Sequence, residues 1–153
     1  MAFGHEQLDV YKLALEYVAF VFDLSKRLEG STRHARDQLL RASQSIPLNI
    51  AEGNGKASHG DRRRFFEIAR GSVFECAAIQ DVLEVCGAIT VQENVDAKQT
   101  LDRLAAMLTK LGGRAYSVKD DIEGYGIRWS DGRWSRVPFT TPLDSDSDEV
   151  RGA

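Results

Sequence analysis

The chain has 153 residues, enough for one domain with a real core, and its 42% hydrophobic content excludes a wholly disordered polymer. A formal charge of −3 argues against strong, indiscriminate binding to phosphate polymers, where affinity comes from accumulated Lys and Arg. No apolar run approaches the roughly 20 residues of a membrane span. The opening Met1-Ala-Phe-Gly-His-Glu6 also lacks the basic and apolar regions of a signal peptide, so a cytoplasmic protein without a membrane role is expected.

The first amphipathic segment runs from about Leu8 to Leu28, with Tyr11, Ala14, Leu15, Val18, Val21, Phe22 and Leu28 at three- and four-residue spacings. Val10, Tyr17, Phe20 and Leu24 widen that apolar face, which predicts contact with two helices or with a helix and another subunit. Gly30 is the natural terminator. The short link Gly30 to His34 makes the next helix an antiparallel neighbour.

A second helix is expected over about 35–53. It contains Pro47, which supplies no N–H to the Ser43 carbonyl and costs about 3 kcal/mol in a helix interior. Periodicity nevertheless continues through it: Leu39, Ser43, Ile46 and Ile50 form one stripe, and Gln38, Arg41, Ser45, Asn49 and Glu52 a polar stripe beside it. This predicts a helix kinked at Pro47. The polar stripe is either a solvated face or a partly buried network with Arg41 as its hub, joined by Asn49 and Glu52, because buried polar groups must find partners.

The link from Gly53 to Gly60 is rich in glycine. Its Gly55-Lys56 pair is no phosphate loop, since Ala57 stands where Ser or Thr is needed and no glycine lies five residues earlier. A third helix over about 60–86, capped by Ser58 or Asp61, carries Phe65, Ala69, Ser72, Cys76, Ile79, Leu83 and Cys86 on one stripe. Glu75 at its edge either faces water or pairs with Arg41. Arg62, Arg63 and Arg64 open this helix, with Arg70 two turns after Arg63. They are a solvated, ion-paired face or an anion-contacting patch, and cations at a helix N-terminus oppose its dipole. Cys76 and Cys86 are about 15 Å apart along one helix, too far for a disulfide, which predicts reduced, buried thiols.

Thr90-Val-Gln-Glu93 is a capping box that opens a fourth helix over about 91–111, with Ala97, Leu101, Leu104, Ala105, Leu108 and Leu111 inward and Gly112-Gly113 as its stop. Residues 1–113 therefore form an all-α, left-handed, antiparallel up-down-up-down four-helix bundle. Residues 114–153 form a polar, acidic tail, largely irregular or disordered, in which Trp129 and Trp134 are free to dock on the bundle or on a partner.

Catalytic and metal chemistry is missing from these patterns. A bundle that holds a carboxylate-bridged metal pair needs Glu-x-x-His on two helices, and His5, His34 and His59 show no ligand spacing. Gly71-Ser72 is no nucleophile elbow. A non-enzyme without cofactor or metal is expected.

Leu8-Asp-Val-Tyr11, Gln38-Leu-Leu-Arg41, Ser45-Ile-Pro-Leu-Asn-Ile-Ala-Glu-Gly53 and Arg64-Phe-Phe-Glu-Ile-Ala-Arg-Gly-Ser72-Val-Phe-Glu75 resemble the four-helix-bundle family first named for proteins encoded in 23S ribosomal RNA intervening sequences. The resemblance covers about Leu8 to Leu111. That family is similar in turn to the accessory variability protein of diversity-generating retroelements, a basic pentameric bundle that binds nucleic acid and a reverse transcriptase. The resemblance implies a homo-oligomer, a pentamer around a central channel, and RNA or DNA as partner. Charge supports a localised contact: between Thr32 and Arg70 eight Lys or Arg face four acids. The residues expected to touch nucleic acid are Arg62, Arg63, Arg64 and Arg70, with Arg33 and Arg36. The alternative is a scaffold that binds a protein partner through the wide face of the first helix or the tryptophan-bearing tail.

Overall fold

The computed structural model describes residues 2–113 and the backbone of 125–130 and 133–138. The chain divides into two units, Met1–Tyr116 and Ser117–Ala153. The first holds four α-helices: α1 Asp9–Ser25, α2 Arg33–Asn54, α3 His59–Val85 and α4 Val91–Leu111. Among the described residues, no helix is long and apolar enough to cross a membrane.

Short links and side-chain register make neighbouring helices antiparallel. As α2 advances, α3 retreats: Arg41 meets Glu75, Ser45 meets Ser72, and Gly53 meets Phe65. The same progression holds between α3 and α4, where Asp81 meets Lys98 while Arg70 shares a groove with Thr109. It holds again between α1 and α4, where Arg27 binds Glu93 while Tyr17 lies beside Thr100. α1 packs on α2 and α4, α3 packs on the same two, and the result is a four-membered bundle.

The core is a continuous apolar cluster, with Tyr17, Leu39, Ile46, Ile50, Phe66, Leu83, Leu104 and Leu108 almost fully enclosed. α2 passes through Pro47 as a single helix, and the proline itself is buried. α1 ends at Ser25 rather than Leu28. The Ser25 hydroxyl donates to the Phe22 carbonyl at 2.6 Å, competing with the helical ladder, and the turn that follows delivers Leu28 into the core. Gly30, expected to stop α1, instead begins a 3-10 turn with φ of +60°.

α3 closes with two bonds of a Schellman turn, Ala88 N–H to the Leu83 carbonyl at 2.8 Å and Gly87 N–H to the Glu84 carbonyl at 2.9 Å, with Gly87 at φ +73°. The capping box of α4 forms, with the Thr90 hydroxyl accepting from Glu93 N–H at 3.1 Å and Glu93 accepting from Thr90 N–H at 2.7 Å.

The second unit contains a hairpin where an irregular tail was expected. β1 Tyr125–Ser130 pairs antiparallel with β2 Arg133–Pro138, and Trp129 stands opposite Trp134 in the backbone register. Tyr125, Ile127 and Trp129 alternate before Asp131-Gly132, a strong two-residue hairpin signal. The expected disorder within the tail beyond residue 138 and the side chains of Trp129 and Trp134 lie outside the described residues.

Candidate nucleic-acid interface

The end of the bundle where α2 finishes and α3 begins is set by one close approach. A Cβ on Gly53 would stand 2.9 Å from Phe65 Cβ and 3.0 Å from the Phe66 ring, so only glycine lets the helices meet here. The Ser58 hydroxyl then caps α3 by accepting from Asp61 N–H at 3.2 Å, and Asp61 places a carboxylate in the first turn, where the helix dipole favours it.

Arg62, Arg63 and Arg64 follow, about 100° apart around the helix, so they fan out instead of making one surface. Arg62 leans toward α2: its Nη1 donates to the Asn54 carbonyl at 3.4 Å, and its guanidinium lies 5.9 Å from the Phe66 ring centre. Arg63 joins Glu67 at 3.4 Å and lines a hollow with His59, Leu111 and Gly113. Arg64 is exposed, with no ion pair among the described residues. Lys56 extends the cationic end, its Nζ lying 4.9 Å from the Phe65 ring centre and 3.5 Å from Glu52.

Arg70 lies further along α3, in the groove against α4. Its guanidinium stacks on Phe74 at 4.8 Å, and its Nε is buried without an acceptor among the described residues. Leaving such a donor unsatisfied costs about 1–3 kcal/mol.

Arg33 and Arg36 do not join this group. They lie in the first turn of α2, about 27–32 Å along the helix axis from Asn54 at 1.5 Å per residue, at the opposite end of the bundle. Arg36 is engaged there with Asp37 at 2.9 Å and with the Leu28 carbonyl at 3.3 Å, so it fastens the α1–α2 turn.

The network expected around Arg41 separates into unconnected contacts. Arg41 does face Glu75, at 3.7 Å, but the two side chains are 80% and 44% exposed. Such a pair contributes about 0.2–1 kcal/mol, far from the effect of a buried one. Glu52 pairs with Lys56, and Asn49 donates to the Ser45 carbonyl at 2.8 Å and to Ser45 Oγ at 3.0 Å. A part-buried polar contact also joins α2 to α3, Ser72 Oγ to Ser45 Oγ at 2.8 Å.

The buried network lies elsewhere, on residues that an apolar stripe count passes over. Tyr17 O–H donates to Gln80 Oε1 at 2.5 Å, Gln80 Nε2 donates to Asn94 Oδ1 at 3.2 Å, and Asn94 Nδ2 donates to Asp81 at 3.0 Å and Glu84 at 2.5 Å. Gln80 follows Cys76 by four residues, and Asn94 precedes Ala97 by three, so helical spacing alone placed both inside. Burial raises the Tyr17 phenol far above its usual range, with Cys76 beside it as a lesser cause, so it remains a donor. Burial likewise pushes the Cys76 thiol up to about 12, which makes it inert. Cys86, expected to be buried, is exposed beyond the end of α3.

The sequence model of the 23S rRNA-intervening sequence proteins matches residues 6–110, from the approach to α1 almost to the end of α4. The chain belongs to the 23S rRNA-intervening sequence protein family. Its fold is also similar to a crystal structure of a protein of unknown function from the S23 ribosomal protein family of Bacteroides thetaiotaomicron. Identity is 22% and the TM-score 0.63, over 69% of this chain and 99% of that one. No curated protein matches. For this 23S rRNA-intervening sequence family protein the matched region contains every helix that carries a candidate arginine, while the hairpin lies beyond it.

Proposed function

We propose that the protein is a cytoplasmic, non-enzymatic oligomeric bundle that associates with nucleic acid, RNA foremost, through the end where α2 finishes and α3 begins. The supporting observation is how the cations are used at the two ends. At the far end Lys26, Arg27 and Arg36 are joined to Asp23, Glu93 and Asp37, and among the described residues only Arg33 is left over. At the near end Lys56 joins Glu52 and Arg63 joins Glu67, while among the described residues Arg62 and Arg64 pair with no carboxylate. Such charges contact phosphates without reading base edges.

One protomer offers few contacts, and an assembly would repeat them at high effective concentration. Leu15 and Phe22 support assembly: both lie on the side of α1 away from the core and are 44% and 48% exposed. Family membership favours the pentamer. The same apolar face also fits a protein-binding scaffold, the second reading. The two separate in a titration of labelled structured RNA and duplex DNA at low and raised salt, with light scattering on the same samples. Salt-sensitive binding by an oligomer is expected. No binding at low salt would favour the scaffold.

A further inference from the structure

The groove between α3 and α4 encloses about 500 Å³ and is lined by Arg70, Phe74, Asp102, Ala105, Ala106 and Lys110 among others. That volume falls within the range of small-ligand sites, roughly 300–1,000 Å³. Its chemistry is ordered along the helices. Because α3 and α4 are antiparallel, Lys110 lies near the level of Arg70, the two alanines near Phe74, and Asp102 beyond them. Residues 102 and 110 are about 12 Å apart along α4 at 1.5 Å per residue.

Arg70 is the informative side chain. Packing and the Phe74 ring hold its guanidinium plane, and among the described residues its Nε has no acceptor and no carboxylate pairs with it, although Asp102 lines the same groove. The arginine fork matches carboxylate or phosphate oxygens. Phe74 is 51% exposed despite its size. Cation, part-exposed aromatic ring and exposed carboxylate thus stand in line along the groove.

We propose that this groove binds one nucleotide unit. The phosphate sits on Arg70 and Lys110, the base lies against Phe74 and the alanines, and Asp102 accepts a hydrogen bond from a ribose hydroxyl or an exocyclic amine. A simple anion would leave Phe74 and Asp102 unused, and an apolar ligand would strand both charges. Guanidinium planes and phenyl rings are surfaces on which unstacked bases rest. A free mononucleotide and the 5′-phosphate end of a strand present this same chemistry. The groove stands on its own geometry, independent of polymer binding at the cationic end.

Isothermal titration calorimetry of the full chain with adenosine 5′-monophosphate, adenosine and inorganic phosphate tests the assignment. The monophosphate should bind about tenfold or more tightly than either fragment. Arg70→Gln should lose about tenfold, and Ala106→Phe, which fills the groove from an exposed position outside the core, should abolish binding, while Lys26→Gln at the far end leaves it unchanged. A 5′-phosphorylated oligonucleotide that binds more tightly than the mononucleotide identifies the strand end as occupant; equal or weaker binding identifies the free nucleotide. Monophosphate binding no tighter than phosphate, absence of binding, or wild-type affinity in Ala106→Phe would overturn the proposal.

Discussion

Replacing glycine by alanine at two sites on neighbouring helices should shift stability in opposite directions, although the chemical change is identical. Gly71 lies mid-helix in α3, and a Cβ there meets nothing within 4 Å. Gly71→Ala should therefore gain the helix propensity difference, about 0.5–1 kcal/mol. At Gly53 the same Cβ would lie 2.9 Å from Phe65 Cβ and 3.0 and 3.2 Å from two atoms of the Phe66 ring. Phe65 Cβ is fixed to the α3 backbone and Phe66 is buried, so neither yields without moving a helix. Overpacking of this kind costs about 1–3 kcal/mol. Against it stands a propensity gain reduced by proximity to the helix end, leaving a net loss of about 1–2 kcal/mol. Urea unfolding followed by far-UV circular dichroism measures both, the midpoints moving in opposite directions at constant slope. Light scattering should show assembly unchanged in each variant. Stabilisation by Gly53→Ala equal to that by Gly71→Ala would refute the close approach of α2 and α3.

Other outcomes follow from single contacts. Arg41→Ala should cost less than about 1 kcal/mol because its pair with Glu75 is open to water, and a double-mutant cycle should return a coupling of a few tenths. Tyr17→Phe should cost about 1–3 kcal/mol by leaving Gln80 Oε1 without its donor, as chemical denaturation would record. In the native protein a thiol reagent should modify Cys86 and spare Cys76 until denaturant is added. Since burial holds the folded Cys76 thiol up to about 12, the unfolded thiol ionises first. Stability should therefore fall as pH climbs through the range where a free thiol titrates.

Much of the bundle was legible because helical signals in this chain are local. Thr90 and Glu93 define the start of α4 by themselves, and Gly112 stops it. Side-chain destinations were harder to read. Leu15 and Phe22 fit an apolar stripe as well as Val10, Leu13, Tyr17 and Leu24 do, and only the position of α2 and α4 decides that the second set is buried. Gln80 and Asn94 were missed because a stripe count treats amides as exposed, although a buried tyrosine needs such partners. Arg33 and Arg36 were grouped with Arg62–Arg64 through sequence proximity, whereas the length of α2 puts them at opposite ends. The hairpin had a clear local signal in Asp131-Gly132 flanked by Trp129 and Trp134, and the polar, acidic composition of the tail concealed it.

Association through the near end is tested most directly by the slope of log Kd against log salt for RNA binding, compared between Arg63→Gln/Arg64→Gln and Lys26→Gln/Arg33→Gln. Each phosphate contact adds about 0.7 to the slope for a single strand and about 0.9 for a duplex. Loss of Arg63 and Arg64 should therefore flatten the slope by at least about 1.4, while the far-end pair leaves it unchanged. Equal slopes in the two variants, or a greater loss from the far-end pair, would contradict the proposed interface.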